Sequence, residues 1–139
     1  MENISFNLGE IIPIADNKKI LNEDYTIEIV DDILMVNYHC KIVNLDVMKR
    51  VIKDRFNLSN GKSYPVLAEG TSTKYWDREA RDYSGRKENL EFISAGAFVV
   101  TLPLLQTLVN LYLTIFFIKF PSKTFSDRDE AIEWLKSYR

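Results

Sequence analysis

Residues that carry chemistry are scarce in this chain. Cys40 is its one cysteine, which excludes an internal disulfide and any metal site built from several cysteines of a single chain. His39 is its one histidine. Neighbours on an extended segment point to opposite faces, so this pair is not expected to act as a nucleophile and its base. The five glycines are scattered, leaving neither a dinucleotide fingerprint nor a phosphate loop. Acidic residues at 31–32, 69 and 127–133 lack the alternating oxygen-ligand spacing around a central glycine that a calcium loop needs. No catalytic residue, metal or cofactor is expected. Eighteen Lys and Arg against twenty Asp and Glu leave a net charge of −2, with no long block of one sign, so nucleic acid is not an expected partner. The amino terminus shows no basic segment ahead of an apolar core and no small-residue cleavage site, which points to a cytoplasmic location.

The most telling absence is of charge. Residues 92–118 contain no Asp, Glu, Lys, Arg or His over 27 positions, long enough to cross a bilayer, which takes about 20 apolar residues. The interior of the run argues against one continuous helix. Residues 93–100 are β-branched and small, and Thr101-Leu102-Pro103 then supplies a cap and a first-turn proline. A buried strand followed by a helix over 102–118 is therefore expected. At 1.5 Å per residue that helix falls short of a hydrocarbon core of about 30 Å, so membrane insertion is not expected.

The rest alternates strands and helices. Residues 25–30 and 33–38 read as a hairpin around Asp31-Asp32. Asn44 can cap a helix whose Val47, Met48, Val51, Ile52 and Phe56 recur at helical spacing, and Asn60-Gly61 ends it. Residues 64–68 form a short apolar strand, and 76–83 a short charged helix with Asp77/Arg81 and Arg78/Asp82 spaced for pairing. After the uncharged unit, 123–125 extends briefly and Ser126 caps a last helix buried through Ala131, Ile132, Leu135 and Tyr138. Strands separated by helices call for parallel, right-handed crossovers. The expected fold is α/β: a small mixed, mainly parallel sheet flanked by helices over residues 23–139, preceded by an extended arm over 1–22.

Three stretches carry a resemblance: Lys-Tyr-Trp-Asp-Arg-Glu-Ala-Arg-Asp-Tyr at 74–83, Ala-Gly-Ala-Phe-Val-Val at 95–100, and the closing Phe125, acidic turn, Ala131 and Trp134-Leu135. Together they resemble the small bacterial STAS-type domains similar to the anti-sigma factor antagonist SpoIIAA. The resemblance implies that fold, no enzymatic activity, and binding of a protein partner or, as proposed for the related SEC14-like group, an apolar small molecule. In the anti-sigma antagonists a phosphorylatable serine opens the helix after the central strand. Here that place reads Trp76-Asp77-Arg78-Glu79, without a hydroxyl. Thr71, Ser72 and Thr73 lie just upstream as candidate phosphate acceptors, although hydroxyls in a loop more often serve its turns.

The uncharged helix leaves only a narrow polar stripe of Gln106, Asn110 and Thr114, so its apolar surface exceeds what one sheet face covers. If about 300 Å² stayed bare, burying it would be worth roughly 7 kcal/mol before the costs of association. The leading expectation is a non-enzymatic interaction module, a homodimer or protein-partner binder, associating through Leu105, Leu108, Tyr112 and Phe116. The alternative is a carrier or sensor of a lipophilic small molecule, its cavity lined by Tyr75, Trp76, Phe98, Leu104, Leu108 and Phe116.

Overall fold

The computed structural model describes residues 19–70, 72–115 and 118–139. Of the expected arm, residues 1–18 lie outside the described residues, as do Thr71 and Phe116.

Strand β1 (Lys19–Leu21) is the antiparallel edge beside β2 (Tyr25–Val30), which turns into β3 (Ile33–Tyr38). The hairpin closes as its pattern predicts. Asp31 and Asp32 both take positive φ, 54° and 62°, the two-residue geometry whose twist matches that of the flanking strands and which Asp tolerates better than most residues. After a short β4 (Ile42–Val43), helix α1 (Leu45–Ser59) starts at Asn44, whose side chain accepts the Val47 N–H, and ends at Asn60 in the left-handed region. Strand β5 (Tyr64–Gly70) then pairs in parallel with β3.

The next segment departs from expectation. Trp76 belongs not to a helix but to β6 (Tyr75–Trp76), which pairs in parallel with β4. Backbone bonds from Lys74 N to Lys41 O at 2.7 Å and from Asp77 N to Val43 O at 3.0 Å hold it extended. Helix α2 (Arg78–Ser84) begins two residues later than expected, capped by Asp77 on the Ala80 N–H. The cap thereby occupies the carboxylate expected to pair with Arg81, while the expected Arg78–Asp82 pair forms at 3.7 Å. A 3-10 turn (Lys87–Leu90) leads into β7 (Ile93–Val99), then α3 (Pro103–Ile115), β8 (Ser122–Phe125) and α4 (Arg128–Lys136). The cap of α4 is Asp127, not Ser126: its carboxylate accepts the Glu130 N–H.

Among the described residues the main sheet runs β1-β2-β3-β5-β7-β8, and β4 and β6 form a second, two-stranded piece. From β3 onward each strand is parallel to the last, so α1, α2 and α3 are successive crossovers added in one direction. Crossovers of one hand stack on one face of the sheet. The two cores reflect this. Leu34, Val36 and Tyr38 pack with Val47, Met48, Val51 and Ile52 of α1 on one side. Ile33, Leu67, Ala95 and Ala97 pack with Ala131 and Leu135 of α4 on the other. The uncharged run is thus the expected strand and helix, and among the described residues no helix is long and apolar enough to cross a membrane.

Candidate functional site: a cavity beneath the third helix

The two faces of the central strands are not filled alike. Leu67 of β5 is 1% exposed against α4, whereas its neighbours Val66 and Ala68, pointing the other way, are only half-buried although β5 lies between β3 and β7. A side chain in mid-sheet keeps accessible surface only if the layer above it stands off. Here that layer is α3, in which no residue with a described side chain is fully buried. The gap is a cavity of about 480 Å³ bounded by β3, β5 and β7, by α1 and α2, and by the inner side of α3. Small residues create it: Ala68 on β5 and Gly96 on β7 supply little or nothing to fill the space. Gly96 is also a site of close approach, since a Cβ there would come 3.1 Å from Phe120 Cε1.

The walls are apolar. Val36, Val51, Ile52, Phe98, Leu105 and Val109 line them, and Trp76 stands edge-on to Tyr38 with ring centroids 5.6 Å apart. Exposed Tyr75, Arg78 and Asp82 mark the rim. Polar bonds tie α3 over the space: Tyr112 and Ser84 of α2 share a hydrogen bond at 2.7 Å, and Gln106 donates to the Val100 carbonyl at 2.6 Å.

Of the residues expected to line a cavity, Tyr75, Trp76, Phe98 and Leu108 do so. Leu104 does not. It sits on the outer side of α3, 74% exposed, because the helix turns Leu105 and Tyr112 inward. These two, expected at an interface, face the cavity and are half-buried. The outer side carries Leu104, and Leu108 and Leu111, 50% and 54% exposed, stand at its edge, where they also border the cavity. Of the candidate phosphate acceptors, Ser72 is exposed, and Thr73 donates to the Cys40 carbonyl at 2.7 Å. His39 bonds Thr26 at 2.7 Å, and burial pushes the Cys40 thiol up.

Sequence reasoning passed over Arg55 and Tyr38. Arg55 lines the cavity at 4% exposure, donating to the Glu91 carbonyl at 2.8 Å and the Asn89 carbonyl at 2.5 Å and lying 4.8 Å from the Phe56 ring centroid. Burial pulls its pKa down to about 10, with nearby Tyr38 pulling the other way, so it is charged at neutral pH. The Tyr38 hydroxyl accepts from the Trp76 indole and donates to a thioether, Met48 Sδ at 3.9 Å, a weak acceptor, and burial drives its pKa well up, with Tyr112 adding to the shift. Tyr112 is itself raised, chiefly by burial. The signal was present: Arg55 follows Val51 and Ile52 by four and three positions, in register with the apolar stripe of α1.

Residues 26–139 match the family described as a domain of unknown function (DUF7793). None of the curated proteins matches the chain. Among solved structures the chain is similar to an uncharacterised protein of the DUF3478 family with a SpoIIAA-like fold from Shewanella loihica PV-4, at 14% identity and a TM-score of 0.62, covering 80% of this chain and 91% of that one. It also matches a protein of unknown function from Arthrobacter sp. FB24 at 22% identity over 79% of this chain and 97% of that one, with a TM-score of only 0.31. The first likeness speaks for the fold alone, which is SpoIIAA-like.

Proposed function

Given that the chain belongs to the DUF7793 family, on a SpoIIAA-like fold, we propose that it is a non-enzymatic binding module for a lipophilic small molecule held between α3 and the sheet. The observation that carries this reading is the half-burial of Val66 and Ala68 in the middle of the sheet, beneath a cavity of about 480 Å³. That volume lies within the range of roughly 300–1,000 Å³ common to small-molecule pockets, which are mostly apolar with a few polar groups. An apolar occupant would bury strand and helix surface together and complete the layer that α3 leaves unfinished. Native mass spectrometry of freshly purified protein, with Nile red uptake as a second measure, tests it. A co-purifying mass or a saturable blue-shifted emission is expected. Several preparations with neither would overturn the reading.

A second reading rests on the outer side of α3. Leu104, Leu108 and Leu111 recur there at helical spacing with at least half of each exposed, a surface suited to a second copy of the chain. Of the three, Leu104 belongs to the outer side alone, while Leu108 and Leu111 also line the cavity, so association and an occupied cavity share those two side chains.

A further inference from the structure

Arg55 is a buried cation whose charge, among the described residues, is not met by an anion. Among the described residues no carboxylate pairs with it, and Tyr38 is the one titratable neighbour that acts on it. Its bonds go to two backbone carbonyls, which satisfy hydrogens without cancelling charge. A guanidinium carries five N–H donors, so Nε and the second hydrogen of each terminal nitrogen are left over from these two bonds. Buried charges are ordinarily paired because desolvation is costly, and this one lines the apolar cavity. Beside it the buried Tyr38 hydroxyl, which accepts from Trp76, donates only to the weak acceptor Met48 Sδ, so its hydrogen is a further donor that an oxygen could draw away.

Resting on the lipophile reading above, we propose that the ligand is a monocarboxylate with an apolar tail, its head group accepting from Arg55 and its tail lying along Val66, Ala68 and Gly96 toward α3. A carboxylate suits the site better than a phosphate. One cation, two of whose N–H groups are already committed, balances one negative charge, whereas a phosphate would leave close to a second charge in an apolar surround.

The test is displacement of Nile red from the purified full chain by dodecanoic acid and by dodecanol, at a pH where the acid is ionised. The acid should bind at least about tenfold tighter, the effect of one charge-assisted hydrogen bond, and Arg55→Met should bring the two to parity while Arg55→Lys retains part of the preference. Equal affinity of acid and alcohol for the unaltered protein overturns the carboxylate while leaving a lipophile site standing. Failure of Nile red and both competitors to bind, with no co-purifying mass, removes the lipophile reading and this inference with it. Should Arg55→Met lose its circular dichroism signature, the comparison on the unaltered protein still decides.

Discussion

Ala68 is the residue on which an empty layer and a filled one differ most. Its β-carbon sits on the central strand facing the cavity, so Ala68→Leu adds three carbons without touching the α4 core. At about 0.8 kcal/mol per buried methylene it should stabilise the protein by roughly 2 kcal/mol and abolish Nile red uptake. Calorimetry showing a lowered melting temperature would mean that the space is not open to side-chain atoms. On the opposite face, Leu135 is fully buried, and Leu135→Ala should cost about 2–5 kcal/mol by chemical denaturation. The buried phenols make a pH prediction. Tyr25, Tyr38 and Tyr112 all have raised pKa values, chiefly from burial. Above their unfolded value of about 10 the unfolded chain loses these protons first, so it binds fewer than the native state and stability falls as pH rises. Below pH 10 both states keep them and the contribution is flat. Arg55, lowered to about 10, acts in the reverse sense above that pH but is one group against three. Absorbance of tyrosinate near 295 nm should therefore rise together with unfolding. If the phenols ionise while the far-UV dichroism is intact, their burial is not what holds them neutral. Side-chain chemistry was the least legible level: Arg55 looks like an ordinary surface cation until its register on α1 is counted, and Tyr38 looks like one more apolar strand residue.

Elements were read more readily than their ends. Periodicity found both hairpin strands and α1, because each of them buries one regular face, while the uncharged strand-helix unit was read from its β-branched run and the Thr101-Leu102-Pro103 start. The starts of α2 and α4 slipped by two residues and by one because Asp77 and Asp127 outcompete their neighbours as caps, a choice decided by loop geometry that periodicity does not see. Replacing Asp127 by Ala removes the bond to the Glu130 N–H and should cost about 1 kcal/mol, seen as a lower urea midpoint with an unchanged slope. Short β6 was missed because a two-residue ladder has no period. The helices also differ in how firmly they are held. Val47, Met48, Val51 and Ile52 anchor α1 in the core, whereas α3 rests on half-buried side chains and bonds such as Tyr112 to Ser84. Amide hydrogen exchange should therefore be faster in α3 than in α1, and an occupant of the cavity should slow α3 selectively. Uniform protection across both helices would contradict this ranking.

For the molecule as a whole, a mixed, mainly parallel sheet was legible from the alternation of elements, since strands separated by helices call for parallel crossovers. The cavity was not, because it depends on how far one helix stands from a sheet, a distance no local pattern encodes. The exposed leucines of α3 make a prediction at this scale. If copies associate through them, Leu104→Lys should shift sedimentation toward the monomer and leave the melting temperature of the dilute protein within about 0.5 kcal/mol equivalent of the parent. A parent that sediments as a monomer at high micromolar concentration would remove that role. The sheet also separates the two tryptophans: Trp76 borders the cavity, while Trp134 packs at a tilt between Phe125 and Tyr138 on the α4 side. The chain therefore carries a native optical probe and its own internal reference, so that in Trp134→Phe a single indole would report entry of an unlabelled guest, and in Trp76→Phe the surviving one would stay silent.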